Sequence, residues 1–313
     1  MSTTDEQHRI ITVFGGGGFI GRYVCEALFK AGVRVRVAQR SPRDAFFLQP
    51  LAGVGQLDLV RADFSRPASL DAAVAGASGV INLVGAFAGN LTQVHASAPG
   101  RIAELAAAGG ASSLVHISAI GADPAGDSFY ASSKGEGEAA VRAAFPTATI
   151  IRPSLVFGPE DQLTNRFGGM ARLPFLPVLG GRTRFQPIYV RDLGLAVAAA
   201  ALAPERHAGK VYELGGPEVL TMRALNEAIA KAAGQSPAIL DLPDFVGAAM
   251  SRLGFLPGAP LTRDQWRMLQ HDNVASGPGL EAFGIAPTPL AAVAPEWLGR
   301  FRKGGRFATH KAP

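Results

Sequence analysis

The chain has 313 residues, of which 48% are hydrophobic and 18% are charged, a balance that is typical of a globular protein and excludes a disordered one. Its one cysteine, Cys25, excludes an intramolecular disulfide framework, and its six scattered histidines lack the spacing of metal ligands. The net charge of +5 and the isoelectric point near 9.6 favour anionic partners, such as a phosphorylated small molecule or an acidic membrane surface. No nucleic-acid-binding motif accompanies this charge, which argues against nucleic acid.

The amino terminus and the apolar stretches bear on location. Residues 1–8 are polar and partly acidic, unlike a secretory signal or a transit peptide. The longest apolar stretch covers residues 193–203, which is well short of the roughly 20 residues that span a bilayer. We therefore expect a cytoplasmic protein.

A glycine-rich turn follows the first predicted strand, residues 10–14. Its glycines have the spacing G-x-x-G-x-x-G, and the segment after them has helical periodicity. Glycine lets the backbone turn tightly and approach a phosphate, while a helix N-terminus offers free N–H groups and a partial positive charge. This context predicts a dinucleotide site, although a run of four glycines is also compatible with a plain flexible turn. The predicted cofactor contacts are Gly15, Gly17, Gly18, Phe19, Ile20 and Gly21.

The residues after the second predicted strand, 33–38, bear on which dinucleotide is bound. About 20 residues beyond the glycines, an NAD-specific site usually places an Asp or Glu on the ribose 2′-hydroxyl. This chain has Gln39, Arg40 and Ser41 there, with Arg43 close behind. The guanidinium groups can pair with a 2′-phosphate, and the serine can donate a hydrogen bond to it. We expect NADP(H) to be preferred over NAD(H), the alternative being a solvated basic loop.

The third predicted strand, residues 57–64, ends near a carboxylate. In a Rossmann sheet that position reaches the adenine amino group, so Asp63 and Phe64 are candidate cofactor contacts. Asp63 fits equally well as the N-cap of a short helix predicted over residues 67–74. The sequence does not choose between these two roles.

Strand-like and helix-like segments continue to alternate through the first half of the chain. This alternation predicts an α/β fold, a Rossmann-type doubly wound parallel sheet with helices on both faces. The remaining strands are predicted over residues 79–84, 113–118 and 147–152, and the helices over residues 44–52, 92–108 and 132–144.

Proline and glycine become frequent after Pro153. They predict a loop-rich insertion over about residues 159–185 around one short helix. Residues 186–190 and 210–214 are predicted to return to the sheet, with a helix over residues 192–203 between them.

From residue 216 onward the predicted helices are short and separated by proline and glycine. We therefore predict a cofactor-binding domain at residues 1–215 and a smaller, mostly helical cap at residues 216–313 that includes a partner-binding region. The apolar residues 245–256 fit either a lipophilic pocket or core. Residues 297–307 interleave aromatic with four basic side chains, which suits an anionic lipid surface or an acidic partner subunit, and equally a solvated chain end.

Tyr130 and Lys134 form the second informative pattern, because residues four apart on a helix share one face. A phenol titrates near ~10, and a neighbouring ammonium and a cationic nicotinamide ring both favour its ionised form. Ser118 closes the strand predicted before them, where its hydroxyl can polarise a carbonyl. These three residues are the candidate catalytic groups for carbonyl–alcohol interconversion, with Lys134 also holding the nicotinamide ribose. The alternatives are a surface helix pair for the tyrosine and lysine and a helix or turn cap for the serine.

With these motifs the chain resembles the short-chain dehydrogenase/reductase superfamily, in the extended or atypical branch that contains the NAD-dependent epimerases and dehydratases. The resemblance covers roughly residues 9–235, and it implies that the backbone segments after the fourth and sixth strands pass the cofactor. The residues so implied are Leu83, Val84, Gly85, Pro153 and Val156. Ser118 precedes Tyr130 by only about twelve residues, a shorter gap than in extended sugar-nucleotide epimerases, which argues against a sugar substrate.

A closer resemblance is to bacterial relatives of the NADPH-binding accessory subunit of respiratory complex I, a group that borders on reductase-like proteins of ubiquinone biosynthesis. It rests on residues 13–24, 261–266 and 272–274. In the mitochondrial member, the resemblance implies a tightly held NADPH, a peripheral position beside the membrane arm and no established turnover.

Two functions from different classes follow from these patterns. The first is an NADP-dependent oxidoreductase acting on a hydrophobic carbonyl or quinone-related substrate. The second is a non-catalytic accessory subunit of complex I that NADPH stabilises, since a bound ligand need not turn over to stabilise a fold. An epimerase or dehydratase acting on a nucleotide sugar is a further alternative. We favour the enzyme, in the quinone and complex I setting, with a peripheral location on the cytoplasmic face of the inner membrane.

Overall fold

The computed structural model describes residues 9–87, 89–254, 261–277 and 279–303. These residues divide into two compact units, each built from segments that alternate along the chain. The first unit comprises the described residues up to Pro153, with Val190–Leu214 and Ser276–Ala286; the second comprises Ser154–Tyr189 and the described residues of Gly215–Ala275 and Pro287–Pro313. The division into domains at residues 1–215 and 216–313 stays a prediction.

The strands of both units are short, from two to six residues. In chain order they are β1 (Ile10–Phe14), β2 (Arg34–Gln39), β3 (Leu57–Arg61), β4 (Gly79–Asn82), β5 (Ser113–Ile117), β6 (Thr149–Pro153), β7 (Val156–Phe157), β8 (Phe175–Val178), β9 (Arg184–Phe185), β10 (Ile188–Tyr189), β11 (Val211–Leu214), β12 (Leu220–Thr221) and β13 (Ala238–Asp241).

The α-helices are α1 (Phe19–Lys30), α2 (Pro67–Val74), α3 (Ala98–Ala108), α4 (Phe129–Ala144), α5 (Gln162–Met170), α6 (Val190–Leu202), α7 (Pro204–His207), α8 (Met222–Ala232), α9 (Asp244–Arg252), α10 (Arg263–Met268), α11 (Leu290–Val293) and α12 (Pro295–Leu298). A π-helical turn, Gln93–Ser97, leads into α3, so the helix predicted over residues 92–108 changes its hydrogen-bond pattern along its length. Residues predicted as a helix at 44–52 form a 3₁₀ helix, Pro42–Leu51, with Pro50 inside it.

Seven strands of the first unit form one parallel sheet in the order β11-β6-β5-β4-β1-β2-β3. β4 and β5 are buried along their whole length, as expected where helices cover both faces of a parallel sheet. The strand order reverses between β1 and β4, and ligands bind at the carboxyl ends of the strands beside such a reversal. The predicted Rossmann-type fold is confirmed.

The edge of this sheet beyond β6 differs from the prediction in one respect. Residues 210–214 return to it as β11, parallel to β6. The prediction that residues 186–190 return as well was wrong, because only Ile188–Tyr189 form a strand and they pair with β7 in the second unit. One edge of β6 pairs with β5, and β11 occupies the other edge.

The core of the first unit lies where α3 and α4 pack against the sheet. Its fully buried members include Phe14, Val80, Ile102, Leu114 and Ile150, which come from four strands and a helix. Burying each such side chain contributes roughly 1.5–3 kcal/mol. The apolar faces of these elements therefore hold the carboxyl ends of the strands in place.

Cys25 packs on α1 within the first unit. Burial raises the pKa of its thiol to about 12, so the thiolate that would react as a nucleophile does not form at neutral pH. Its Sγ lies 3.9 Å from the Gly16 carbonyl oxygen. The thiol is therefore packed and unreactive.

The second unit combines short helices with three two-stranded sheets, β7 with β10, β8 with β13 and β9 with β12. The insertion predicted over residues 159–185 contains the expected short helix, α5. It also contains β8 and β9, which were predicted as loop. Each of these strands pairs with a partner more than thirty residues further along the chain, and such pairing leaves no local periodicity in the sequence.

The C-terminal aromatic segment packs into the second unit. Trp297 is only 5% exposed, stacks on Tyr189 with ring centroids 6.4 Å apart, and directs its indole N–H at Thr164 Oγ1 over 3.4 Å. Phe301 lies against Gly168 and Gly169 of α5. The part of the predicted basic aromatic tail at residues 304–307 lies outside the described residues. Across the described part of the chain, no helix is both long and apolar enough to cross a bilayer.

Candidate functional site

The glycine turn joins β1 to the N-terminus of α1. Gly15 has φ of +79°, a left-handed conformation that favours glycine, and its carbonyl oxygen accepts a hydrogen bond from Gly18 N–H over 2.9 Å. A Cβ on Gly21 would collide with that same carbonyl oxygen, so the helix can pack this closely only with glycine there. The N-cap residue of α1 is Gly18, which has no side chain with which to cap the helix. The turn therefore presents helix N-terminal N–H groups as an anion site requires.

Gln39, at the end of β2, connects the glycine turn to the basic loop. Its Oε1 accepts a hydrogen bond from Gly17 N–H over 3.0 Å, and its Nε2 donates to the Ser41 carbonyl oxygen over 2.7 Å. A Cβ on Gly17 would collide with the Gln39 amide. Gln39 stands where an NAD-specific site has its acid, and its contact with the glycine turn could not be predicted from the sequence.

The basic loop lies at the carboxyl end of β2. Arg40, Ser41 and Arg43 are exposed, and Ser41 is the residue before the 3₁₀ helix Pro42–Leu51. Within the described residues, neither guanidinium group pairs with a carboxylate. Both cations are thus available to an anionic ligand.

Asp63 follows β3, which ends at Arg61 instead of residue 64. Its Oδ1 accepts hydrogen bonds from Ser65 N–H (3.0 Å) and Ser65 Oγ (2.7 Å), and these bonds lower the pKa of the carboxyl. The alternative that Asp63 caps the following helix was wrong, since Arg66 is the N-cap of α2. Asp63 closes a local turn, because its short side chain reaches the backbone two residues on. Phe64 packs partly buried against the core.

The segment after β4 runs from the glycine turn to Lys134. A Cβ on Gly15 would meet Val84 Cγ2 at 3.4 Å and the Leu83 carbonyl carbon at 3.6 Å. A Cβ on Gly85 would meet Lys134 Nζ at 3.5 Å. The backbone of residues 83–85 therefore extends from the glycine turn to Lys134.

Lys134 lies on α4 and is only 3% exposed. Its Nζ donates a hydrogen bond to the Ile117 carbonyl oxygen at the end of β5 over 3.1 Å. Burial lowers the pKa of this ammonium to about 8, although the Glu138 carboxylate acts in the opposite direction. At pH 7 the group is mostly charged, as a contact to a polar ligand would need.

Tyr130 lies one turn before Lys134 because α4 begins at Phe129, three residues earlier than predicted. Ser128 caps the helix there, its Oγ accepting from Ala131 N–H over 3.0 Å. The Tyr130 ring stacks on Phe87 with centroids 5.0 Å apart and meets the edge of His95 at 5.3 Å.

The ionisation of Tyr130 differs from the expectation. Burial raises the pKa of its phenol to about 12, whereas we expected the neighbouring ammonium to favour the phenolate. Burial removes the phenol from water and so disfavours its charged form. The phenol is accordingly a proton donor at neutral pH.

Ser118 directly follows β5 and is 3% exposed. Its N–H donates to the Ile151 carbonyl oxygen over 2.8 Å, extending the ladder with β6. Its Oγ has no hydrogen-bond partner among the described residues. A buried hydroxyl is rarely left unpaired, so the predicted role as a turn cap does not account for it, while an oxygen-containing ligand would.

His95, in the π-helical turn, belongs to the same site and was missed. Its Nε2 accepts from Ala86 N–H over 3.0 Å, and its Nδ1 lies 2.9 Å from Ser133 Oγ. Burial and the charge of Lys134 lower the pKa of His95 to about 4. A Cβ on Gly137 would collide with the His95 carbonyl oxygen, so that glycine lets α4 approach the π-helical turn. No spacing in the sequence links residues 95 and 137.

The two residues implied near the nicotinamide lie in different units. Pro153 ends β6, and its carbonyl oxygen accepts from Ile120 N–H over 3.3 Å in the first unit. Val156 opens β7 in the second unit, where it pairs with Ile188.

The residues of the first unit fit a dinucleotide. A Cβ on Gly16, Gly17 or Gly21 would collide with its neighbours beside the N-terminus of α1. Within the described part of the chain, two arginines after β2 have no carboxylate partner, and the buried Ser118 hydroxyl has no hydrogen-bond partner. The turn would hold the pyrophosphate, Leu83–Gly85 would pass the cofactor, and Lys134 would hold the ribose. These positions share the carboxyl edge of the sheet.

Comparison with known proteins gives three findings. Residues 11–215 match the NAD dependent epimerase/dehydratase family. The chain is 33% identical to the Arabidopsis thaliana protein NADH dehydrogenase (ubiquinone) 1 alpha subcomplex subunit 9, mitochondrial, over 95% of this chain and 79% of that protein. It is 31% identical to the ceramide reductase of Caulobacter vibrioides, over 75% of this chain and 74% of that protein.

Among solved structures, the NADPH complex of an Escherichia coli NADPH-dependent quinone oxidoreductase has a TM-score of 0.72 to this chain. The two are 22% identical, over 91% of this chain and 99% of that one, a likeness that shows the fold. The family match over residues 11–215 agrees with the Rossmann sheet and its glycine turn. The chain belongs to the NAD-dependent epimerase/dehydratase family, whose members are nucleotide-binding proteins of the short-chain dehydrogenase/reductase type.

Proposed function

We propose that the protein is an NADP(H)-dependent oxidoreductase that interconverts a hydrophobic carbonyl or quinone-related substrate with its alcohol. The observation that carries this proposal is the placement of Ser118, Tyr130 and Lys134. Lys134 donates a hydrogen bond to the carbonyl oxygen at the end of β5, and Tyr130 lies one helical turn from Lys134. Ser118 follows that strand, and its hydroxyl has no partner among the residues that the structure describes. A protein that only bound a nucleotide would not require this set.

The roles of these residues follow from their protonation states. The cofactor, when bound, supplies or accepts the hydride. Tyr130 is protonated at neutral pH and can give its proton to the oxygen of a substrate that is being reduced. Ser118 would donate a hydrogen bond to that oxygen, and the Lys134 ammonium would stabilise the phenolate left behind.

Exposed aromatic side chains near Tyr130 support a hydrophobic substrate. Phe87, which stacks on the Tyr130 ring, is 69% exposed, and the neighbouring Phe129 is 53% exposed. Large apolar side chains left exposed beside a candidate site favour an apolar ligand. The Caulobacter vibrioides relative, named a ceramide reductase, is consistent with a lipophilic substrate.

Turnover by matched variants tests the proposal. Purified protein with NADPH would be assayed against a panel of long-chain ketones, aldehydes and quinones, following loss of NADPH absorbance. Tyr130→Phe keeps the ring and its stacking but removes the transferable proton, so turnover should fall by at least ~10²-fold while NADPH binding changes little. Phe87→Leu, which keeps the phenol, should alter KM far more than Tyr130→Phe does. Equal turnover of wild type and Tyr130→Phe would refute the oxidoreductase.

A second function has its own support, the 33% identity to a subunit of mitochondrial NADH dehydrogenase over 95% of the chain. Here NADPH would hold the fold together for docking on complex I, on the cytoplasmic face of the inner membrane. Bound ligand at 100 times its Kd stabilises a fold by ~2.7 kcal/mol. The cofactor would then matter without turning over.

The NADH:quinone activity of membranes that carry each variant distinguishes the two functions. Gly18→Val places a branched side chain beside the Gly15 carbonyl oxygen and should prevent cofactor binding, whereas Tyr130→Phe should not. Loss of NADH:quinone activity with Gly18→Val alone would favour the structural subunit. Normal activity with both variants would count against any complex I role.

A further inference from the structure

Two buried polar atoms at the end of β5 lack partners in the described part of the first unit. They are His116 Nε2 and Ser118 Oγ, on residues that are 1% and 3% exposed. Alternate residues of a strand point to the same side of a sheet, and the ladder to β6 continues through Ser118 N–H. The imidazole and the hydroxyl therefore face the same side.

Hydrogen bonds determine where the proton of His116 lies. Val84 N–H donates to Asn82 Oδ1 over 3.1 Å, which identifies the other terminal atom of that amide as its NH₂ group. This NH₂ group lies 3.2 Å from His116 Nδ1, so Nδ1 is the acceptor. A neutral imidazole then carries its proton on Nε2. Burial, with the charge of Lys134, lowers the pKa of His116 to about 3 and keeps the ring neutral.

Lys134 has its ammonium at the same end of β5. Its ammonium lies close enough to His116 to act on the ring electrostatically. It donates to the carbonyl oxygen of Ile117, the residue between His116 and Ser118. The end of β5 thus carries an N–H on His116 Nε2 and a hydroxyl on Ser118, neither of which has a partner among the described residues.

We propose that one ordered water molecule joins His116 to Ser118, accepting the Nε2–H hydrogen bond and donating to Ser118 Oγ. A buried water typically makes two to four hydrogen bonds to polar groups that would otherwise be unpaired. Once Oγ accepts from this water, the hydroxyl proton of Ser118 points away from it. His116 is thus a positioning residue, which acts through the water to make Ser118 a donor toward the substrate oxygen. This last step rests on the proposed oxidoreductase function.

Imidazole ¹⁵N NMR of the full chain tests the proton position directly, with an internal control. His95 accepts from Ala86 N–H at Nε2, so its proton lies on Nδ1, opposite to His116. One spectrum should therefore show both tautomers. A His116 that carries its proton on Nδ1, or an imidazolium at pH 7, would overturn the proposal.

Crystals of the wild type and of Ser118→Ala test the water. Density for a water within hydrogen-bond distance of both His116 Nε2 and Ser118 Oγ is expected in the wild type. Ser118→Ala should lose that water or displace it, and should shift the His116 Nε2–H resonance while leaving that of His95 unchanged. Absence of the water in the wild type, or a His116 resonance indifferent to Ser118→Ala, would contradict the bridge.

Asn82→Asp provides a near-isosteric perturbation. A carboxylate there would accept from both Val84 N–H and His116, so the imidazole proton should appear on Nδ1. Should this variant fail to fold, the wild-type and Ser118→Ala measurements still decide. None of these readouts uses a substrate, so an inactive protein and a missing water are distinguishable results.

Discussion

At the scale of single residues, burial shifts the pKa of the titratable side chains in the site. The phenol of Tyr130 stays protonated and the imidazoles of His95 and His116 stay neutral, while Lys134 keeps its charge at neutral pH. Desolvation, which disfavours the charged form, keeps the phenol and the two imidazoles neutral. The Lys134 ammonium stays charged at pH 7 because desolvation lowers its pKa only to about 8 and the Glu138 carboxylate acts against that shift. The lysine is therefore the group whose charge is most sensitive to pH near neutrality.

Lys134 should make the stability of the protein depend on pH. Its pKa is about 8 in the folded protein, while an unfolded lysine titrates near ~10.4. Between these values the unfolded chain binds more protons, so this residue's contribution to stability rises as pH rises from about 8 to about 10. Lys134→Met, which removes the buried charge, should raise the free energy of unfolding at pH 7 by on the order of 1–3 kcal/mol.

Urea unfolding at pH 7 and pH 10 measures this effect, and the gain should shrink at the higher pH. Lys30→Met is the matched control, because Lys30 is an exposed lysine in a helical ion pair with Glu26. The same gain at both pH values would show that the charge of Lys134 is not the cause.

Arg40 should determine the preference for NADPH. NADPH is expected to bind at least tenfold tighter than NADH, about 1.4 kcal/mol, and Arg40→Ala should remove most of that difference because a charge-assisted contact to the 2′-phosphate is lost. Titration calorimetry with both cofactors measures it. Arg34→Ala, an exposed arginine at the start of β2, is the control and should leave the ratio unchanged. Equal affinity of the wild type for the two cofactors would exclude this role.

At the scale of elements, close approach of two backbones builds the site. α4 passes the π-helical turn with Gly137 against the His95 carbonyl oxygen, and α1 passes the glycine turn with Gly21 against Gly15. These contacts position the Tyr130–Lys134 face beside β5. A single methyl group at either glycine would separate the elements.

Gly137→Ala should therefore destabilise the protein by about 1–3 kcal/mol or more, since overpacking forces the backbone to move. It should also disturb the site, because His95 holds the Ala86 N–H of the segment that carries Phe87. Thermal or urea unfolding is the measurement. Glu136→Ala, at an exposed position of the same helix, should stay within about ±0.5 kcal/mol. Comparable effects of the two substitutions would mean that the close approach does not matter.

At the scale of the whole molecule, the basic C-terminal segment divides its side chains between packing and surface. Trp297 and Leu298 are buried in the second unit, and Arg300 donates to Asn165 Oδ1 over 2.6 Å. The aromatic residue that the sequence offered to a lipid surface is thus part of a core. Arg302 and Lys303 remain exposed and can contribute to an anionic surface contact.

Trp297→Ala should consequently lower the stability by about 3–5 kcal/mol, the usual effect of truncating a buried aromatic residue. It should leave binding to vesicles that contain anionic phospholipid unchanged at temperatures where the variant is folded. The double variant Arg302→Ala with Lys303→Ala should weaken binding to these vesicles and leave the stability unchanged. Cosedimentation and thermal unfolding provide both readouts, and a loss of vesicle binding in folded Trp297→Ala would show that the indole contacts lipid.

The local patterns of the chain were sufficient for the fold class and for the outline of the site. A strand, a glycine turn and a helix follow one another within 21 residues, and Tyr130 and Lys134 lie one helical turn apart, so their signals are contiguous in the sequence. The alternation of elements predicted the parallel sheet for the same reason, since each strand and helix carries its own periodicity.

Tertiary structure alone decided the contacts between distant residues. Gln39 against Gly17, Asn82 against His116 and His95 against Ser133 join positions 22, 34 and 38 residues apart, and no periodicity relates them. It also placed residues 188–189 outside the main sheet and raised the pKa of Tyr130. Strand partners and desolvation depend on which surfaces meet when the chain is packed, and a local pattern specifies an element's own faces without specifying its neighbours.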